Sequence, residues 1–362
     1  MCAFVRFLRN FAIVIKNDVM TTDKPFTSGS FTPLYKQFTD YVKSCIRSGR
    51  FERGKALPSI HSMVMRTGIS RETIVKGYAD LCREGVLVSH KGKGYFVKES
   101  YITGIKSVMV FMDKMSPHQQ DIMDGLITAV GSNAEITIRM HYQNPQWFVL
   151  ALEASLDLYD WYILFPHFPL DDDTRQKVGS LIGKIPPEKL IILDHLPELA
   201  PAACGAVFQS IEEDVPGALE QALPDVRRFS KLRYASLSIS LYGDIVAKVI
   251  SGFGKRNGVP VEILTELPEK VSKGDLFFVS GSRLDRKLSV LLKAISASGL
   301  VPGKDVGLIC YNDFPLNEFI FGGLTTLSVD FREMGRLAGE MILKGTLSKI
   351  QCFASLIRRR TF

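Results

Sequence analysis

The chain contains no CxxC pair. Its six cysteines, Cys2, Cys45, Cys82, Cys204, Cys310 and Cys352, are scattered. That argues against a zinc knuckle or a dithiol redox centre and reads as reduced, mostly buried thiols. No uninterrupted apolar run reaches the about 18 residues of a membrane span, so no transmembrane helix is expected. No P-loop, GxSxG, HExxH or GxGxxG signature occurs, which leaves the common nucleotide-dependent and hydrolytic enzymes without sequence support. With 46% hydrophobic and 23% charged residues among 362, collagen-like, low-complexity and small disulfide-scaffold classes are excluded too. Two or three domains are expected, each with its own core.

What the chain does have is a local excess of positive charge. The net charge is +7, and residues 30–100 alone carry 13 Lys/Arg against 6 Asp/Glu. Residues 101–362 hold 28 against 30. A basic block on a near-neutral body points to a polyanion partner read by one domain. Residues 1–29 are set aside as a leader. Residues 4–15 are apolar but interrupted by Arg6, Arg9 and Asn10, and no small-residue cleavage site follows. Translation from Met20 rather than Met1 is the favoured expectation.

Within the basic block, Thr32-Pro33 reads as a hydroxyl cap followed by a proline at the first helical position. Leu34, Phe38, Val42, Cys45 and Ile46 recur at helical spacing up to Gly49. Pro58-Ser59 opens a second helix that Gly68 breaks. Ser70 caps a third, with Thr73 three positions on and Ile74, Tyr78 and Leu81 facing inward. Two short apolar strands, 86–89 and 95–97, flank His90-Lys91-Gly92-Lys93-Gly94, a basic glycine-rich hairpin tip. Three helices and a basic hairpin describe a winged helix-turn-helix. The third helix offers Ser70, Arg71, Thr73 and Lys76 at the end where free N–H groups and the positive dipole favour phosphate or a groove edge. Arg71 is suited to bidentate contact with guanine, and Lys91 and Lys93 to the sugar-phosphate backbone beside Gly92 and Gly94.

The segment 32–97, from TPLYKQ to GKGYFV, resembles the DNA-binding domain of GntR-family bacterial regulators. The resemblance rests on PLYxQ, LPS, G-I-S-R-x-T-I, L-x-x-E-G and G-x-G-Y-F-V in that order. It implies that Ser59, Ser70, Arg71, Thr73 and Lys76 lie at DNA, with the wing at a groove. His61 stands where the family usually carries arginine, a weaker phosphate clamp.

From residue 105 onward, apolar strand-length runs alternate with helical stretches, as in 107–112 (SVMVFM), 161–165 (WYILF), 190–193 (LIIL), 276–279 (LFFV) and 306–310. Helices are expected at 116–130, 145–158, 171–183, 212–223, 244–257 and 285–298. This pattern calls for parallel sheets buried on both faces, arranged as two linked α/β subdomains. Such folds bind ligands beyond the carboxyl ends of their strands. The polar residues at those ends are therefore the candidates: Asp113, His167, Asp194, His195, Gln209, Ser280, Arg283, Asn312 and Asp313. A sugar pocket needs such carboxylate, amide and guanidinium groups together with an apolar ring face. Trp161, Phe165, Phe168 and Phe314 offer aromatic faces, although Trp161 and Phe165 read first as core.

The run 299–343, GLVPGKDVGLICYNDFPLNEFIFGGLTTLSVDFREMGRLAGEMIL, is similar to the C-terminal part of LacI/GalR-type effector domains, which are periplasmic-binding-protein-like. The resemblance implies a ligand contact at Asn312 and at Asp313, two hinged subdomains and homodimerisation. Gly281-Ser282-Arg283 stands where that family often has an Asn-Asp pair, and Val249 where it has an arginine. Both departures turn the expectation away from a simple hexose.

The expected architecture is therefore α/β. A winged helix-turn-helix at 30–99 and a short linker at 100–104 precede a two-subdomain periplasmic-binding-protein-like body at 105–362. The tail Arg358-Arg359-Arg360 is expected to be a solvated end. The expected function is sequence-specific DNA binding by a cytoplasmic homodimer with no cofactor and no membrane partner. It would regulate a carbohydrate-utilisation operon through a sugar or sugar derivative in the C-terminal cleft. The alternatives are a solute-binding protein or an enzyme built on the same body.

Overall fold

The computed structural model describes Phe26 and residues 32–98, 105–198, 200–236, 241–280 and 284–362, without the side chains of Ser236 and 284–287. The expectations for the leader, the start at Met20, the linker 100–104 and Arg283 fall outside these residues. Compactness separates two units: residues up to Thr103 with Glu153–Leu158, and Gly104–Leu152 with Tyr159–Phe362.

In the first unit, α1 (Leu34–Arg47) buries Phe38, Val42, Cys45 and Ile46 on one face. It starts one residue later than the Thr32 cap implied. Pro33 sits at the cap, its φ of −52° within the ring-fixed range and its ψ of 139° outside the helical one. Thr32 instead accepts a bond at its carbonyl from Gln37 Nε2 (2.8 Å). Ser59 caps α2 (Ile60–Thr67), which Gly68 closes at φ 71°. Ser70 caps α3 (Arg71–Arg83). Tyr78, fully buried, donates its hydroxyl to Pro58 O (2.9 Å) and so ties α3 to the start of α2. β1 (Leu87–His90) and β2 (Gly94–Val97) pair antiparallel, and Ala56 bridges to Phe96 as the wing's third edge. Phe38, Val42, Ile74, Tyr78 and Leu81 form the core, all with negligible exposure.

The second unit contains two six-stranded sheets. The first sheet runs β13-β7-β6-β5-β3-β4, parallel throughout. Its strands are β3 (Lys106–Met112), β4 (Ala134–Met140), β5 (Trp161–Leu164), β6 (Leu190–Asp194), β7 (Gly205–Phe208) and β13 (Lys349–Gln351), and between them lie α4 (Pro117–Val130), α5 (Pro145–Glu153) and α6 (Asp172–Ile182). After α7 (Ile211–Gln221) the chain builds the second sheet, order β14-β12-β11-β10-β8-β9. It comprises β8 (Lys231–Ser236), β9 (Val261–Leu264), β10 (Asp275–Ser280), β11 (Gly307–Tyr311), β12 (Thr325–Ser328) and β14 (Ser355–Ile357), with helices α8 (Gly243–Asn257) and α9 (Leu284–Ser298). Only β14 is antiparallel in it. The chain then crosses back. α10 (Phe331–Lys344) packs Phe331, Met334, Ala338 and Ile342 into the first sheet's core, β13 joins that sheet, and β14 returns to the second. The chain thus crosses between the two sheets three times.

The sequence reading placed α5 as far as residue 158, whereas the helix ends at Glu153. It missed β12, β13 and β14, which are only three or four residues long. The C-terminal arginines are solvated only in part: Arg358 and Arg360 are exposed, whereas Arg359, Thr361 and Phe362 are drawn into the fold. Arg358 pairs with Asp225 (2.6 Å) and Arg359 with Asp313 (2.7 Å), while Thr361 bonds both Thr325 N and Leu308 O at 2.8 Å. Phe362 stacks on Phe229, ring centroids 6.0 Å apart.

α4 and α10 lie backbone to backbone. A Cβ at Gly335 would strike the Ile122 carbonyl, and one at Gly125 the Arg332 carbonyl. Gly335→Ala should therefore lower stability by about 1–3 kcal/mol through forced separation of the helices. Gly217, in α7 with open space at its Cβ, serves as control, where alanine should be neutral or gain about 0.5–1 kcal/mol. Urea unfolding midpoints of the two variants check this. Equal midpoints would mean the helices part freely.

Candidate functional site

In the first unit the polar positions divide by what they already touch. Ser59 Oγ accepts from Ser62 N (3.2 Å), and Ser70 Oγ accepts from Thr73 N (3.3 Å) and lies 3.0 Å from Thr73 Oγ1. These hydroxyls hold the helix starts. His61, Arg71 and Lys76 are exposed. The Lys76 ammonium stands over the Tyr35 ring at 3.7 Å, a cation–π contact that fixes its stem on α1. Lys91 and Lys93 are exposed at the hairpin tip. Gly92 (φ 77°) and Gly94 (φ 99°) adopt left-handed backbone there, with nothing near their Cβ positions. The third helix and wing thus present cations on a rigid frame. Gly77 makes the frame compact, because any Cβ there would meet the Phe38 ring.

In the second unit, strand ends converge on a cavity of about 90 Å³ lined by Asp113, Lys114, His118, Gln143, His167, Asp194, His195, Gln209, Tyr242, Ser280, Tyr311, Asn312 and Phe314, among others. Asp113, His167, Asp194, Ser280 and Asn312 are brought together as expected from their strand-end positions. His167 is buried between two carboxylates. Its Nδ1 lies 2.9 Å from Asp113 Oδ1, and its Nε2 lies 2.9 Å from Asp194 Oδ2 without hydrogen-bond alignment, so the second contact is an ion pair. Asp113 also accepts from Gln119 Nε2 (2.6 Å) and Gln143 Nε2 (3.2 Å). Asp194 accepts from Gln209 Nε2 (2.5 Å), and Gln209 Oε1 accepts from the Tyr311 hydroxyl (3.0 Å). The polar chain therefore runs from β3 in the first sheet to β11 in the second.

Burial opposes every charge in this chain, and pairing decides which survive. Burial alone would neutralise His167, yet Asp113 and Asp194 lift it to about 9. Burial would raise both carboxyls, yet His167 holds Asp113 well below the ordinary range, as His195 and His167 do for Asp194. His118, His141 and His195 lie beside the same groups but gain too little from them. Burial pushes each down to about 4. Carboxylate, imidazolium and carboxylate leave the cluster one negative charge at neutral pH.

Three lining residues have left-handed backbone without being glycine: Gln143 (φ 61°), Asp194 (φ 75°) and Asn312 (φ 71°). Such strain collects where a side chain must be aimed at a site. The buried Asn312 Oδ1 has no hydrogen-bond partner, and a ligand hydroxyl would satisfy it. Phe314 and Tyr242 supply rings, and Tyr242 lies 4.0 Å centroid to centroid from His195. Trp161 and Phe165 are core, and Phe168 packs on His141 at 4.1 Å. Asp313 departs from expectation. Its carboxylate turns away to Arg359, Thr326 and Asn317, and it does not line the cavity. The sequence reading missed Lys114, His118, Gln143, Tyr242 and Tyr311. Tyr311 had one available signal, as the last residue of an apolar strand immediately before Asn312. No helix among the described residues is long and apolar enough to cross a membrane.

Comparison with known proteins gives a separate result for each unit. Residues 34–97 match the family model of bacterial regulatory proteins, gntR family. The chain is 33% identical over 84 residues to the HTH-type transcriptional regulator GgaR of Escherichia coli. That match covers 23% of this chain and 34% of GgaR, so the chain spans about a third of the relative's length. The body is similar in fold to the trehalose repressor from Escherichia coli (TM-score 0.54, 12% identity, 69% of this chain and 99% of that one). It is also similar to the lac repressor dimer bound to operator and the anti-inducer ONPF (TM-score 0.53, 15% identity, 71% and 94%). The chain thus joins a GntR-type helix-turn-helix to a body with the periplasmic-binding-protein-like fold of LacI-type effector domains.

The buried histidines set the pH dependence of stability. His167 has a folded pKa above its free value of 6.5, so its contribution is complete below 6.5 and lost as pH rises through about 9. His118, His141 and His195 are depressed to about 4, so stability falls as pH drops from 6.5 towards 4. Chemical unfolding across pH should therefore peak near 6.5, and His167→Gln should remove the alkaline decline. An unchanged alkaline limb would show that His167 is not the charged member.

Proposed function

We propose that the protein is a DNA-binding transcriptional regulator of carbohydrate use, probed through one site and controlled through another. It reads an operator through α3 and the wing, and it takes a sugar or sugar derivative in the cleft. The observation that carries the reading is the pairing of a gntR-matching helix-turn-helix at 34–97 with a body whose strand ends converge on a cavity of carboxylates, amides and rings. A homodimer on a near-palindromic site places two α3 helices about 34 Å apart. The dimeric, operator-bound state of the structurally similar lac repressor supports that arrangement. In this reading Arg71 contacts base edges, and Lys76, Lys91 and Lys93 contact phosphate with His61 beside them. Ser59 and Ser70 hold the backbone N–H groups at the helix starts in position.

In the cleft, Asp113 and Asp194 accept from ligand hydroxyls, Asn312 and Ser280 bond further hydroxyls, and Phe314 and Tyr242 cover a ring face. Ligand contacts on both sheets favour the closed arrangement of the subdomains. They shift operator affinity by the ligand's differential affinity for the two states. The Lys114 ammonium, 3.7 Å from Asp113 in the same lining, offsets the one negative charge of the carboxylate–imidazolium–carboxylate cluster. No catalytic constellation is invoked: the chemistry is binding.

Arg71→Ala should cost about 1–3 kcal/mol of operator binding and relax sequence preference. Lys93→Ala should weaken binding to all sequences alike and reduce the salt slope by about one unit. Fluorescence anisotropy on operator and unrelated duplexes separates the two. Retained operator affinity in Arg71→Ala would remove α3 from the reading role.

A further inference from the structure

Beside the cleft, the same body holds a second cavity of about 590 Å³, and the two share His195, Gln209, Ile211 and Tyr242 in their linings. We infer that the two cavities form one binding site for a neutral saccharide of at least two rings, its first ring in the cleft and its next in the outer chamber. This rests on the sugar reading of the cleft and names the ligand class more closely.

Size is the first argument. A water needs roughly 10–15 Å³ of such space, so the inner cavity of about 90 Å³ holds several waters but falls short of a whole ligand site. The outer chamber, at about 590 Å³, is within the range of whole ligand sites, about 300–1,000 Å³. It would be left largely empty by a single ring seated in the cleft.

Chemistry is the second argument. The chamber wall is apolar, with Phe168, Val178 and Ile245, while its rim carries Arg175, Glu198 and Glu212. A sugar ring has both requirements: C–H faces that lie on apolar and aromatic surface, and peripheral hydroxyls that bond charged or amide groups. An alkyl chain would leave the polar rim unused. An anionic extension would meet Asp172, Glu198 and Glu212 with only Arg175 in compensation. Continuity is the third argument. The His195 and Tyr242 rings, 4.0 Å apart, border both cavities, so a glycosidic link leaving the cleft passes alongside them. Gln209, held between Asp194 and Tyr311, borders both cavities from the end of β7.

The test uses the full chain, a library of neutral monosaccharides, disaccharides and trisaccharides, and calorimetric titration of every compound that raises the melting temperature. Two variants narrow the chamber, Gln176→Trp on the exposed rim and Ile245→Trp in the wall. Unliganded operator binding reports that each is folded. The expected result is that a saccharide of two or more rings binds at least about tenfold tighter than its constituent monosaccharides, and that the variants erase this advantage while leaving monosaccharide affinity unchanged. A monosaccharide binding as tightly as every larger saccharide that contains it would overturn the inference and leave the sugar reading intact. So would an advantage that survives in both folded variants. A library in which nothing binds the wild type would overturn the inference together with the sugar reading.

Discussion

His167 cannot be buried alone. An isolated imidazolium in a protein interior is expelled or neutralised, and an isolated carboxylate fares worse. The body resolves this by setting His167 between Asp113 and Asp194, at 2.9 Å from each. Gln119 shares Asp113 Oδ1 with His167, while Gln143 and Gln209 donate to the other oxygens, Asp113 Oδ2 and Asp194 Oδ1. Since these residues end β3, β5 and β6 or begin the segments that follow, the pairing fixes the relative position of three strand ends. Through Gln209 and Tyr311 it extends to the second sheet. Under the proposed function, a ligand that competes for Asp113 or Asp194 would act on this connection between the two sheets.

The backbone agrees with that role. Asp194 and Asn312 close their strands in left-handed conformation, which costs each about 1–3 kcal/mol relative to an ordinary turn. Asn312 additionally keeps a buried oxygen without a partner. Strain and an unsatisfied acceptor together describe a site prepared for something polar. By contrast Asp313, one residue later, is satisfied by Arg359 and by two further side chains. The adjacent pair divides between cavity lining and scaffold.

Most of this organisation was legible in the sequence because it follows from short-range rules. Serine caps at 59 and 70, glycine stops at 68 and an alternation of apolar runs with helical stretches set the helix-turn-helix and the α/β body. The strand-end rule found Asp113, His167, Asp194, Ser280 and Asn312. What escaped it was long-range. Arg359 looked solvated because its partner Asp313 is distant in sequence. β12, β13 and β14 are too short to show a period. Tyr242 and Gln143 reach the cleft from a helix cap and a strained turn, positions that carry no periodic signal. The contact between α4 and α10 depends on glycines whose meaning appears only when two backbones meet.

The proposed regulation requires that occupancy of the cleft change operator affinity, which titration of a labelled operator fragment with the wild-type chain and with Asn312→Ala, each with and without saccharides, reads out. Tight, salt-sensitive binding by both proteins is expected, shifted by a saccharide in the wild type and unshifted in Asn312→Ala. Wild-type binding that no saccharide alters, or an equal shift in both proteins, would contradict the proposed regulation.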